Sequence, residues 1–388
     1  MLQDCGEQDE MFIQAKQFLK INQLEHALRI VNLDSIQDQC DNWSSLLPSI
    51  QPYYAVKCFT DLQVVKKIAQ NSFGFDCCSK AEIQLVLDAN VEANKIIYAH
   101  PCKPESHLLF AKQNGVDLMT FDNIFELEKI SRVYAEARLI LRLEVQDGGS
   151  AFPLQKKFGT PADEAIELLR KAKELGLSVV GVSFHVGCDA TEPKAYSAAM
   201  SLALKLIEEG SKIFDRPMEI LDIGGGFPGR ESKLFNEIAD EIKSVSIPSS
   251  IKVIAEPGRY FVAKCLSVYA PVFGKRIYKG NTHYHIMDGF YGTLGPNAVR
   301  FMIPVPMKAT GEIIAKEFLT QESIVWGPTC DSLDVLVKSA LLPELEFGDL
   351  ISFHEVGAYT VCISTNFCGF PSQILYYSPR NNFWFKEK

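Results

Sequence analysis

A short β-rich run recurs eight times between Tyr53 and Glu256, with a helical pattern between one run and the next. The runs are Tyr53–Cys58, Gly74–Cys78, Lys95–His100, Asp117–Asp122, Arg138–Val145, Ser178–His185, Glu219–Ile223 and Lys252–Glu256. Strands that alternate with helices imply a parallel sheet, because parallel neighbours need a long crossover. Eight such units in about 200 residues fit a closed (β/α)₈ barrel. The rival is an open doubly wound sheet, which rarely carries eight units this even. After about Cys265 the helical intervals stop. LSVYAPVFGKRIY, YHIMDGFYG, DLISFHE and TVCISTNF read as strands joined by turns. The expected fold class is α/β, a TIM barrel over 36–265 followed by an all-β domain over 266–388. Residues 1–35 have ambiguous periodicity, open to packing on the β domain or on the barrel.

Composition narrows the class. With 388 residues, 47% hydrophobic and 22% charged, the chain is long enough for one large core and a smaller one. A net charge of −9 without a basic cluster argues against nucleic acid as a partner. No apolar run approaches the roughly 18 residues of a membrane span, and the N-terminus lacks the pattern of a signal peptide. Eleven cysteines without framework spacing fit a reducing, cytoplasmic setting. Cys77-Cys78 and His283-Thr-His285 lack the spacing of a metal site and read as structural, so no metal is expected.

Chemistry in such barrels sits at the C-terminal ends of the strands. Lys57, Asp76, Arg142 and His185 lie in or at the ends of strands one, two, five and six; Gly224, Gly225 and Gly226 follow strand seven, and Glu256-Pro257-Gly258-Arg259 follows strand eight. Lys57 lies within the apolar run YYAVKC. It either snorkels or pairs with a carboxylate, or its amine is desolvated and primed for imine formation with an aldehyde cofactor. Three glycines turning into a helix let the backbone approach an anion, and Arg259 adds a fixed cation beside them. Glu256 reads equally as a partner for a cofactor ring nitrogen or for Arg259. His185 is either a core histidine or a planar neighbour for a cofactor. In WGPTCD, Cys330 and Asp331 place a thiol and a carboxylate on one turn. That thiol is commonly structural; reaching an active site, the pair could serve proton transfer and amine recognition.

Eleven segments carry a family resemblance: PYYAVKC, FGFDCCSKAEI, HPCKPES, LMTFD, KKFG, GVSFHVG, LDIGGGFPG, AEPGRYF, DGFYG, WGPTCDSLD and GAYTVCISTNF. Together they resemble the eukaryotic ornithine decarboxylases among the fold-type III decarboxylases, which use pyridoxal 5′-phosphate (PLP). The resemblance implies an alanine-racemase-like barrel with a β domain, working as a homodimer with active sites at the interface. By that resemblance Lys57 holds the cofactor as a Schiff base, and Glu256 faces the pyridine nitrogen. Gly224, Gly225, Gly226, Arg259 and Tyr359 bind phosphate, and His185 stacks on the ring. Asp76, Glu82 and Arg142 order the cofactor. Cys330 protonates the product carbanion, Asp331 holds the substrate's distal amine, and Tyr291 and Phe367 line the substrate pocket. Lys157 and Asp334 match a pair that bridges subunits.

Two departures stand out. Relatives carry Tyr-Asp about eight residues beyond the DGxYG motif, where this chain has Val299 and Arg300, so a cation replaces an anion where a diamine's second ammonium would lie. HVGCD stands in place of HVGSG, so Cys188 replaces a serine that bonds the phosphate, and a thiol is the weaker donor. The first expectation is decarboxylation of L-ornithine to putrescine. A second is a paralogue acting on another L-amino acid, with Arg300 setting the choice. A third is a non-catalytic regulator like antizyme inhibitor; an antizyme-like protein would then be a partner.

Overall fold

The computed structural model describes residues 8–150, 156–381 and 383–386, without the side chains of residues 297 and 299. The chain forms two compact units. Gln37–Phe261 make one, and the chain up to Ile36 together with that from Val262 makes the other.

In the first unit eight parallel strands close into a barrel. They are Ile50–Ala55, Gly74–Cys77, Ile96–Tyr98, Leu118–Phe121, Arg138–Arg142, Ser178–Ser183, Ile220–Asp222 and Lys252–Ala255. The strands are short because each needs only to span the barrel wall. Tyr53, Ile97, Leu118, Ile140, Ile220 and Ile254 from six of them form a single buried cluster. Side-chain caps start several of the outer helices. Asp61, Ser79 and Asn123 each accept a backbone N–H from the first turn of the helix they precede. Pro161 is the residue before its helix, Ala162–Glu174, not its first helical position. Its φ of −55° and ψ of 144° leave it extended, and the helix begins one residue later than the Pro signal suggests.

HPCKPES has a structural explanation. Lys103 is fully buried, 2.8 Å from Glu126 Oε1, and donates to the carbonyls of Thr120 at 2.6 Å and His100 at 3.2 Å. A buried cation so thoroughly partnered ties two strand–helix loops together. Elsewhere Trp43 donates its indole N–H to the Ile50 carbonyl at 3.0 Å. Its ring meets Phe227 at 4.9 Å and Tyr260 at 5.3 Å between centroids.

The second unit is built on a nine-stranded sheet. Ala27–Asn32 lies inside it, antiparallel to Leu266–Tyr278 and parallel to Ser372–Ser378. The N-terminal segment therefore belongs to this sheet, and Phe12, Leu28 and Ile30 share a core with Tyr269, Leu350 and Leu375. TVCISTNF departs from the strand expected of it. It folds as two short 3₁₀ turns, Val361–Ile363 and Phe367–Gly369. The hydroxyls of Thr360 and Ser364 donate to the nearby carbonyls of Val356 and Val361, at 2.7 and 2.8 Å. Such local bonds compete with a sheet ladder. Among the described residues no helix is long and apolar enough to cross a membrane.

Trp43→Ala should lower stability by about 3–5 kcal/mol, the range for truncating a large buried aromatic. A urea titration of the two proteins checks this through the midpoint of the barrel transition.

Candidate active site

The first barrel strand ends at Ala55, and Lys57 follows in the 3₁₀ turn Val56–Cys58. Its Nζ donates to Asp76 Oδ2 at 2.5 Å. Asp76 is 1% exposed while the lysine side chain is 42% exposed, so the amine is paired yet reachable. The carboxylate pairing considered for Lys57 is therefore present, in a form that leaves the amine accessible to chemistry.

Glu82 sits in the first turn of the helix Lys80–Asp88 and accepts the Cys78 N–H at 2.7 Å and the Cys78 thiol at 3.2 Å. Burial raises its pKa, opposed by the bond from Cys78 and by the charge of Lys57. Arg142 ends the fifth barrel strand with its guanidinium 5.4 Å from the Phe158 ring centroid. His185 follows the sixth strand, and its Nδ1 accepts the Gly187 N–H at 3.0 Å. That bond assigns the proton of the neutral ring to Nε2. Burial, then the cations Arg142 and Lys57, hold this imidazole well below the usual histidine range, so it is neutral at pH 7.

The glycine turn is tight at all three positions. A Cβ on Gly224 would stand 2.1 Å from the Phe184 carbonyl oxygen, one on Gly225 2.7 Å from the Glu256 carbonyl oxygen, and one on Gly226 2.5 Å from the Gly187 carbonyl oxygen. Gly224 and Gly226 also have φ of +61° and +103°. Only glycine allows that close approach. Pro257 fixes the next loop, its carbonyl accepting the Ala55 N–H at 3.1 Å, and Gly258 accepts the Phe261 N–H at 3.1 Å.

Two acidic residues that the sequence reading left unassigned complete this rim. Asp222, at the end of the seventh strand, is fully buried and accepts the Gly224 N–H at 2.9 Å. Burial pushes its carboxyl up to about 7. Glu256 is pushed well above the carboxylate range by burial, then by the charges of Asp222 and Asp76. LDIGGG contained the signal: an acid closing a buried strand beside a glycine turn. The second acid is Asp189, next to Cys188, whose carboxylate Oδ1 lies 2.7 Å from Arg259 Nε. Burial raises the Cys188 thiol, with Arg259 opposing.

A separate group of candidate residues lies in the β unit. Tyr291 donates its hydroxyl to Asp331 Oδ2 in a short hydrogen bond, and Asp331 Oδ1 accepts the Leu333 N–H at 3.0 Å. These bonds hold the Asp331 carboxyl below the usual range. The rings of Tyr291 and Phe367 stand 4.7 Å apart. Cys330 is exposed on the same turn as Asp331. Asp334 anchors that turn from beneath, 1% exposed, accepting the N–H groups of Phe290 and Thr329 and the Thr329 hydroxyl at 2.7–2.9 Å. Its carboxylate is thus held within its own chain; the Lys157 Nζ lies 5.1 Å from the Phe158 centroid. Asp288 Oδ1 likewise closes DGFYG by accepting the Gly289 and Thr293 N–H groups at 2.8 and 2.7 Å. Arg300 is exposed at the end of the one-turn helix Pro296–Val299, and the Val299 side chain lies outside the described residues. Tyr359 has a left-handed φ of +56°. His283 stacks on Trp326 and accepts its indole N–H at 3.0 Å.

A closed barrel with an accessible lysine, buried acids and a glycine turn on one rim defines an enzyme site for an aldehyde cofactor that carries an anion. The family model for the pyridoxal-binding domain of pyridoxal-dependent decarboxylases matches residues 33–263. The chain belongs to that family, the ornithine decarboxylase-like PLP-dependent amino-acid decarboxylases, and its cofactor is PLP. It is 41% identical over 357 residues to antizyme inhibitor 2 of Xenopus laevis, covering 87% of this chain and 78% of that one. It is 38% identical over 364 residues to ornithine decarboxylase 2 of Drosophila melanogaster, covering 90% and 91%. The crystal structure of the Paramecium bursaria Chlorella virus arginine decarboxylase superposes with a TM-score of 0.87 at 33% identity, covering 95% and 99%.

The residues present fit the ring end of PLP. Glu256 Oε1 and Asp76 Oδ1 are buried acceptors with no hydrogen bond among the described residues, so each can take a donor such as a pyridinium N–H. The phosphate end fits in part: the glycine turn and Arg259 are in place, but Arg259 is paired with Asp189.

The raised Asp222 carboxyl gives a pH prediction. Its folded pKa of about 7 exceeds the ordinary 3.8, so the neutral form is favoured on folding. That stabilisation is full below 3.8 and is lost as pH rises through about 7. Without cofactor, wild type should therefore lose stability relative to Asp222→Asn across this interval. Melting temperatures of both cofactor-free proteins at a series of pH values measure the difference.

Proposed function

We propose that this protein decarboxylates L-ornithine to putrescine and CO₂ as a homodimer, each active site drawing on residues of both subunits. The observation that carries the substrate choice is Asp331. It is a carboxylate held ionised by Tyr291 and the Leu333 N–H, with the Phe367 ring beside Tyr291. An anion flanked by aromatic faces suits an ammonium at the end of a short alkyl chain.

When bound, PLP supplies a conjugated ring that takes up the electron pair left as CO₂ departs. Lys57 Nζ would be the amine that holds the cofactor, and Asp76 fixes its position. Glu256 would hold the ring nitrogen, and burial together with the charge of Asp222 keeps its proton affinity high. His185 presents a neutral planar face, while Glu82 and Arg142 order the groups around it. Gly224–Gly226 and Arg259 would hold the phosphate, and the family resemblance adds Tyr359. The Cys330 thiol delivers a proton to Cα, and Asp331 holds the distal ammonium.

Arg300 supports a variant of this reading in which another L-amino acid is preferred. The similarity to an antizyme inhibitor favours a non-catalytic regulator. The retained Lys57, Asp76, Arg142, Glu256, Arg259 and Tyr359 count against that role.

The test incubates purified protein with PLP and a panel including ornithine, lysine, arginine and leucine, following imine absorbance and CO₂ release. An imine band with ornithine turnover is expected, and Lys57→Ala should abolish both. A band with turnover only on another amino acid overturns the ornithine assignment; no turnover on any leaves the regulator. Asp331→Asn should lower kcat/KM for ornithine by about 10- to 100-fold, the scale of a hydrogen bond to a charged group. Arg300→Asp should raise ornithine turnover if Arg300 reaches the pocket, and leave it unchanged if the side chain faces away.

A further inference from the structure

We propose that the Asp189 carboxylate is a built-in anion competing with the cofactor's phosphate for Arg259, so that this chain gains little PLP affinity from the phosphate. The proposal rests on reading Gly224–Gly226 and Arg259 as the phosphate cradle.

Asp189 is held in place by its backbone as well as by charge. Its φ is +54°, a left-handed conformation that few side-chain-bearing residues adopt. The segment around it is laid directly on the glycine turn. On one side of Asp189 the Gly187 carbonyl approaches Gly226 so closely that a Cβ there would be 2.5 Å away. On the other side the Ala190 N–H donates to the Gly226 carbonyl at 3.2 Å. Between these two contacts the side chain reaches Arg259, with the guanidinium 8% and the carboxylate 19% exposed. Its second oxygen, Oδ2, is buried and accepts no hydrogen bond among the described residues. The carboxylate is therefore poorly satisfied except through Arg259.

A phosphate monoester brings close to two negative charges to the same guanidinium. Two anions sharing one cation in a partly buried site repel each other. Either Asp189 leaves Arg259 as the cofactor enters, surrendering the ion pair, or the phosphate binds against an adjacent negative charge. Both routes weaken binding at the phosphate end and leave the ring end untouched. Cys188 is a separate matter, since it changes a hydrogen-bond donor and not a charge.

The experiment titrates cofactor-free wild type, Asp189→Asn and Asp189→Gly with PLP and, in parallel, with pyridoxal, which lacks the phosphate. The readout is the absorbance of the imine at Lys57. Asparagine tolerates the left-handed backbone and removes only the charge, so the fold is preserved. Asp189→Asn should bind PLP at least about tenfold more tightly than wild type, with pyridoxal affinity changed by less than about twofold. Inorganic phosphate should raise the melting temperature of Asp189→Asn and leave that of wild type unmoved. Equal PLP affinity in wild type and both variants overturns the proposal alone, as does a parallel gain for pyridoxal. Absence of an imine in every protein overturns it together with the assignment of Lys57.

Discussion

The barrel rim is organised around an imbalance of buried charge. Asp76, Asp222 and Glu256 converge there, and the cations acting on them are Lys57 and Arg142. With Glu82 beside them, the carboxylates outnumber the cations. An uncompensated charge in such a place costs several kcal/mol. Without a further cation the imbalance is relieved by a proton: burial and then the charge of Asp76 push Asp222 upward, and burial with the charges of Asp222 and Asp76 pushes Glu256 upward. A pyridinium N–H would relieve it differently, by bringing a positive charge to the Glu256 oxygen that has no hydrogen bond among the described residues. A site of this kind would favour the protonated ring, the form in which the cofactor is the better electron sink. Burial, and then the cations of the same cluster, keep His185 neutral, so the imidazole offers a planar face without adding charge.

Much of this arrangement was legible in the sequence because barrel geometry is local. A period of strand plus helix repeated eight times fixes which end of each strand carries chemistry, so Lys57, Arg142, His185 and Glu256 could be placed by counting. What stayed hidden depends on contacts distant in sequence. Ala27–Asn32 is a strand only because Leu266–Tyr278 and Ser372–Ser378 lie on its two sides, and nothing within six residues reveals that. TVCISTNF misled in the opposite direction. Its β-branched residues suggest a strand, but the hydroxyls among them bond locally and fold it into turns. Asp222 was overlooked because an acid before three glycines reads as part of the turn. Its significance lies in Glu256, more than thirty positions away in the chain.

The motifs that carry the family resemblance contain more scaffold than chemistry. In HPCKPES the lysine is spent on Glu126 and two carbonyls. In WGPTCDSLD, Asp334 gathers Phe290 and Thr329 so that Cys330 and Asp331 project from a fixed turn. In DGFYG, Asp288 closes the loop that aims Tyr291 at Asp331. Each motif thus holds one or two working side chains and several residues whose role is to hold them still. This division explains how Asp334 can be buried within its own unit while belonging to a segment otherwise given over to the substrate.

Beside the Cys188 exchange, two positions alter charge, Asp189 and Arg300. At the phosphate end of the barrel, Asp189 adds an anion where the resembling segment has glycine, against a cofactor group that is itself anionic. In the β unit, Arg300 supplies a cation where relatives carry an anion, and the substrate proposed here ends in a cation. On the proposed reading, each change would lower electrostatic attraction for the group at its site. A chain altered in this way keeps the chemistry of the ring end intact. What it would give up is affinity at the distal ends of cofactor and substrate, where binding energy distinguishes one ligand from another.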